Sequence, residues 1–328
     1  MDFTGRPAQL VLIASIARRY YLEGRSKIEI AEELGLSRFK VARLLETARA
    51  SGLVHIEIAN PDMIDVDLST RLRDAYDLQH AVVVDTPDDN PTILRERLGN
   101  AAAELLSEIV TADDVLGLAW SRSVSAMTNA LNRLPTIPVV QLTGALVQLD
   151  VADSSVDLVR QAARISGGAA HFFYAPTVVP DPATARALRK QPEVARTFGR
   201  FGSVTKAVVG VGLWAPGEST VYDAANEKVR RELHRRGVCG EIAGVLIDAD
   251  GRPAESDLTE RMIGISAAQL RAIPEVIGLA YSIARTPAVQ AAIRGGLINS
   301  LVTHPSLARA LVAQQENQSL PSLSERKT

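Results

Sequence analysis

Across residues 26–52 the apolar positions fall into two short helical patterns separated by a break. Ile28, Ile30, Ala31 and Leu34 largely follow helical spacing, and Gly35 supplies the backbone freedom that ends a helix and turns the chain. Ser37 is a good N-cap for a second helix, whose Val41, Leu44, Leu45 and Ala48 recur at steps of three and four. The other face of that helix carries Arg38, Lys40, Arg43 and Arg49. Upstream, residues 9–23 hold one apolar stripe of Leu10, Ile13, Ile16, Ala17, Tyr20 and Tyr21; downstream, residues 53–58 alternate apolar and polar as a half-buried strand does, and Asn60-Pro61 ends the run. The order predicts a helix-turn-helix with a wing over residues 1–59. In that motif the first helix braces the second, whose N-terminal residues enter a DNA major groove while basic side chains meet phosphates. The candidate contacts are Lys27, Ser37, Arg38, Lys40 and Arg43; Arg18, Arg19 and Arg25 read equally as phosphate contacts or as a hydrated surface.

Beyond the wing, Met63, Val66, Leu68, Leu72 and Tyr76 trace a polar, partly periodic helix, expected as a linker over 60–79 and as a place where subunits pair. From His80 the pattern changes to short apolar runs alternating with helical ones. This predicts an α/β fold, a doubly wound parallel sheet with helices on both faces, over 80–313. Strands are expected at 81–85, 115–119, 138–142, 171–174, 207–211, 242–247, 276–280 and 300–302. Helices are expected at 92–109, 123–133, 155–166, 184–190, 193–201, 225–236, 287–294 and 305–313. Residues 314–328 are polar and contain proline, as a loose tail would.

A chain of 328 residues fits a small domain plus a large one. The formal net charge of −2 excludes a protein coated in basic charge, so any nucleic-acid contact must be local. Residues 1–59 hold nine Lys or Arg against seven Asp or Glu, so there the motif speaks more strongly than the charge. The single cysteine, Cys239, excludes an internal disulfide framework and a multi-cysteine metal site, and no metal or other cofactor is expected. The first residues lack a secretory pattern, and no apolar run reaches the roughly 18 residues that span a membrane; the expected location is the cytoplasm.

Six stretches resemble the SorC family of bacterial sugar-responsive transcriptional regulators. They are SRFKVARLLETARASGLVHIEI at 37–58, VLGLAWSRSVSAM at 115–127, VQLTGAL at 140–146, GVCGEIAGVLIDADGRP at 237–253, RMIGISAAQLRAIPEVIGLA at 261–280 and AAIRGGLINSLVTH at 291–304. The resemblance implies a DNA-reading domain joined to a sugar-binding domain related in fold to glucosamine-6-phosphate isomerases. It also implies assembly as a dimer or tetramer and control by a sugar or sugar phosphate.

Two loops after predicted strands suit such a ligand, because helix N-termini beyond a parallel sheet favour anions. The first offers Ser121, Arg122 and Ser123, although both serines also suit N-caps; the second offers Gln141, Thr143 and Gly144. By resemblance Glu241 takes sugar hydroxyls, as an acceptor carboxylate can. Arg285 stands at a lysine position that meets phosphate, with Tyr281-Ser282 in place of a glycine pair. Ser121 and Ala145 also replace family glycines, and His304 an aspartate. The rival reading is a sugar-phosphate isomerase or deaminase with an appended domain. Such chemistry needs a base with a nearby acid, and the five histidines lie scattered outside both loops. A regulator, not an enzyme, is therefore expected.

Overall fold

The computed structural model describes residues 7–54, 63–86, 90–145 and 154–319. The chain divides into two compact units, residues 1–59 and 60–328.

The small unit contains three helices, α1 (Pro7–Tyr21), α2 (Lys27–Glu33) and α3 (Arg38–Ala50). Each is too short to persist alone in water, so their packing holds them. Ile13, Ile16 and Ala17 of α1, Ile30 and Ala31 of α2, and Val41, Leu44, Leu45 and Ala48 of α3 form one buried cluster. Ser26 caps α2 reciprocally with Glu29, and Ser37 accepts a bond from the Lys40 N–H at the start of α3. Gly35 turns the chain between them with a φ of 61°. Of the strand expected at 53–58, residues 55–58 lie outside the described residues, and Leu53 and Val54 form a bend.

The large unit is built on a sheet of β1 (His80–Val83), β2 (Leu116–Leu118), β3 (Val139–Gln141), β4 (Ala170–His171), β5 (Lys206–Leu213), β6 (Val238–Ile242), β7 (Val245–Asp248), β8 (Glu275–Leu279) and β9 (Ser300–Thr303). Seven strands run in the order β1-β9-β8-β5-β2-β3-β4, with every pairing in that row parallel. Side chains divide by the strand period. Ala207, Val209 and Val211 of β5 enter one buried cluster with Val289, Leu301 and Leu307, whereas Val208 enters the other with Leu118, Val124 and Leu158. The sheet is thus covered on both faces.

Four expectations are corrected. The run 242–247 is not one strand: β6 and β7 form an antiparallel hairpin, with Ala243 (φ 50°) and Gly244 (φ 85°) as its two-residue turn, and β6 pairs with the far end of β5. The helix expected at 225–236 is present but shorter, Glu227–Arg235, because Asn226 caps its start, and a separate short helix, Thr220–Ala224, precedes it. The C-terminal helix Pro305–Ser319 continues past 313 into the expected tail. Finally, α4 (Val66–Tyr76), expected as a linker, buries Leu68 and Leu72 in the large core, and the Tyr76 hydroxyl donates to the Leu311 carbonyl at 2.9 Å.

Candidate functional site

After β2 the chain moves outward through β3 and β4; after β5 it moves the other way through β8 and β9. Connections therefore part between β2 and β5, which leaves a crevice beyond their carboxyl ends where ligands of such sheets bind. A pocket lies there, lined by Trp120–Ser123 after β2, Gly210–Gly212 of β5, residues 217–220, Glu241 of β6, and Tyr281 and Arg285 after β8. Two glycines of β5 let its walls close in. A Cβ at Gly210 would lie 2.6 Å from Ser121 Oγ, and one at Gly212 would lie 3.2 Å from Glu241 Oε2 and from the Glu218 carbonyl. Neither glycine was singled out from sequence, although their alternation in VVGVGLW was a usable signal.

Ser121 Oγ accepts the Val124 N–H at 3.1 Å and so caps the helix Arg122–Ala130. It keeps a place on the pocket wall together with Arg122 and the buried Ser123. Glu241 Oε1 accepts the Gly244 N–H at 2.6 Å, and its Oε2 lies 3.3 Å from the donating Ser219 hydroxyl. Burial pushes the Glu241 carboxyl up from its ordinary range, against the lowering effect of those two bonds and of the Arg285 charge.

Arg285 is 8% exposed. Its Nε and Nη2 reach Glu218 Oε2 at 2.9 and 2.8 Å, Nη1 donates to the Val211 carbonyl at 3.1 Å, and the guanidinium stands 4.5 Å from the Tyr281 ring centroid. The Tyr281-Ser282 departure is thus explained in part, since Tyr281 supports the guanidinium by a cation–π contact. Ser282 takes a φ of 80°, backbone that glycine adopts without strain. Glu218 was not anticipated from sequence; no local motif marks it, and only the fold brings it to Arg285.

The second loop does not join this pocket. Gln141 is fully buried, its Nε2 donating to the Thr143 carbonyl and Ser155 Oγ at 2.8 and 3.0 Å, and its Oε1 accepting the Phe173 N–H. The close approach at Gly144 is made by protein, because a Cβ there would meet the Pro176 and Thr177 backbone at 2.7 Å. Thr143 faces a different hollow of about 440 Å³, bordered by Gly244, Met262 and Gly264. The Gln141 amide and the Gly144 backbone are thus turned toward the chain itself.

In the small unit Ser37, Arg38, Lys40 and Arg43 are exposed on α3, and Lys27 Nζ lies 5.6 Å from the Tyr20 ring centroid. Arg19 and Arg25 pair with Glu33 at 3.0 and 2.5 Å. Phe39, not among the expected contacts, is 86% exposed between Arg38 and Lys40.

A doubly wound domain with a polar, arginine-bearing pocket at its switch point is a small-molecule-binding module, and comparison with known proteins gives its family. Residues 63–313 match the Sugar-bind family model, described as "Putative sugar-binding domain". The chain is 31% identical to the transcriptional regulator YjhU of Escherichia coli K12, over 90% of this chain and 92% of that one. It is 28% identical to the transcriptional regulator LsrR of Klebsiella pneumoniae, over 93% and 94% of the two chains. The structure of the full-length sorbitol operon regulator SorC from Klebsiella pneumoniae is similar, with a TM-score of 0.71, 25% identity, and 92% and 98% of the two chains covered. The chain belongs to the Sugar-bind family and is a transcriptional regulator of the SorC type. The enzyme reading is not favoured, and no histidine lines the pocket.

Proposed function

We propose that this regulator reads operator DNA with residues 1–59 and senses a sugar or sugar phosphate in residues 80–313. The small unit is read as a winged-helix-like helix-turn-helix, with α3 as the recognition helix. Lys27, Ser37, Arg38, Lys40 and Arg43 are its DNA contacts, and Phe39 meets an apolar base edge such as a thymine methyl. In the large unit, related to the glucosamine-6-phosphate isomerase fold, Arg285, Arg122, Ser121 and Ser123 hold the anionic end of the effector, and Glu241 takes its hydroxyls. The protein self-associates as a dimer or tetramer and works in the cytoplasm, where its operator, of a carbohydrate or polyol operon, is found. The observation that carries the reading is the convergence of Ser121–Ser123, Glu241 and Arg285, from three distant parts of the sequence, on one crevice.

The test is fluorescence anisotropy with DNA from upstream of its own operon, alongside a thermal-shift screen of free and phosphorylated sugars. Arg38→Ala and Lys40→Ala each weaken DNA binding and reduce its salt slope by about 1, while leaving ligand-induced thermal shifts intact. Absence of sequence-specific binding at both low and moderate salt contradicts the reading.

A further inference from the structure

We propose that Glu218 sets the charge requirement of the pocket: its carboxylate holds the anion position of Arg285, so a ligand gains that position only with a phosphoryl group able to replace it. The proposal rests on the reading of this pocket as the effector site. All three guanidinium nitrogens are engaged, two of them on Glu218 Oε2 at 2.9 and 2.8 Å and the third on the Val211 carbonyl. The Nε/Nη2 edge, the side of the fork that takes an anion with two parallel bonds, is held by Glu218, so a phosphoryl group gains that edge only by taking the place of its carboxylate.

Geometry decides which partner leaves. Arg285 is buried over the Tyr281 ring, and Glu241 is fixed by the Gly244 N–H and Ser219. The Glu218 side chain is 33% exposed and stands in a loop between two anchored points. At one end the Trp214 N–H donates to the Cys239 carbonyl at 3.0 Å; at the other the buried Ser219 accepts the Tyr222 N–H at 3.2 Å. Gly217, with a φ of 72°, lies between them. The carboxylate can therefore rotate toward water while Arg285 and Glu241 stay in place. A neutral polyol has no group to offer Arg285 in exchange and leaves the ion pair standing. A phosphate dianion brings more charge and more acceptor oxygens than a carboxylate and displaces it. Specificity here is a difference of affinities in which the protein supplies the competitor.

The experiment titrates inorganic phosphate into the full-length wild type, Glu218→Gln, Glu218→Ala and Arg285→Gln, read by calorimetry, with circular dichroism as the check on folding. Both Glu218 variants are expected to bind phosphate roughly tenfold more tightly than wild type, with Arg285→Gln binding it at least tenfold more weakly. Unchanged or weaker phosphate binding in both Glu218 variants, with Arg285→Gln still impaired, overturns the role of Glu218 and leaves the site standing. Wild-type affinity in a folded Arg285→Gln overturns the anion position itself, and the proposal with it.

Discussion

Glu241 combines a carboxyl raised by burial with an acceptor position beside Gly244 and Ser219. A carboxyl raised in the folded state favours folding while it stays neutral, and that contribution is lost as pH climbs through the raised value. Glu241→Gln removes the loss. Its melting temperature relative to wild type is therefore expected to rise between pH 5 and pH 8, while its thermal shift with the effector shrinks; a parallel pair of melting curves across that range would contradict the burial account. Single residues were legible in the sequence where their role is local, as with Ser37 and Ser121, which cap the helices they precede. Gln141 misled because its position at the end of a strand suits a ligand contact, and which groups its amide meets depends on residues 143, 155 and 173 coming together. Glu218 carries no local signature, since its partner Arg285 lies far along the chain; the alternation of Gly210 and Gly212 was visible, but which side chains it admits depends on the fold.

At the scale of elements, α3 has one buried face and one exposed face. Leu44→Ala removes a buried side chain from the small core and is expected to cost about 2–5 kcal/mol of that unit's stability. Phe39→Ala, on the exposed face, is expected to change stability by less than about 0.5 kcal/mol and to weaken DNA binding. Equal effects of both variants in chemical denaturation would mean that the helix faces are misassigned. The hairpin of β6 and β7 escaped notice because IAGVLI reads as one apolar run and Ala-Gly is a weak turn signal beside Asn-Gly.

Another device ties strands together at their amino ends. Glu275 accepts from Ser300 Oγ at 2.7 Å, lies 2.7 Å from His80 Nδ1, and is 3.4 Å from Lys206 Nζ, so one carboxylate joins β1, β5, β8 and β9. Burial raises its pKa, and the bonds and charges of Ser300, His80 and Lys206 more than reverse this, holding it below the usual range. Asp114 is likewise held low: burial opposes, but bonds from Thr111 and Thr205 and the Lys206 charge prevail. Both carboxylates stabilise the fold above their unfolded pKa values, and the contribution fades as pH falls through the lower folded ones. Glu275→Gln is expected to cost roughly 1–3 kcal/mol at pH 7 and to flatten the acid limb of stability against pH below about 5. An unchanged acid limb would remove Glu275 from the account.

For the whole molecule, the parallel sheet was legible because its strands are short apolar runs between amphipathic helices, and the crevice between β2 and β5 follows from strand order. Strand order itself is a property of long-range pairing, and the run of apolar residues does not contain it. The central claim joins the two units: effector in the large one changes the affinity of the small one for operator. Such coupling is typically about 1–3 kcal/mol, or roughly 5–150-fold in affinity. The direct measurement is an operator titration with full-length protein, with and without a saturating sugar phosphate chosen by thermal shift. The account predicts midpoints at least about fivefold apart for wild type and coincident for Arg285→Gln. Coincident midpoints for wild type, with the ligand demonstrably bound, would contradict it.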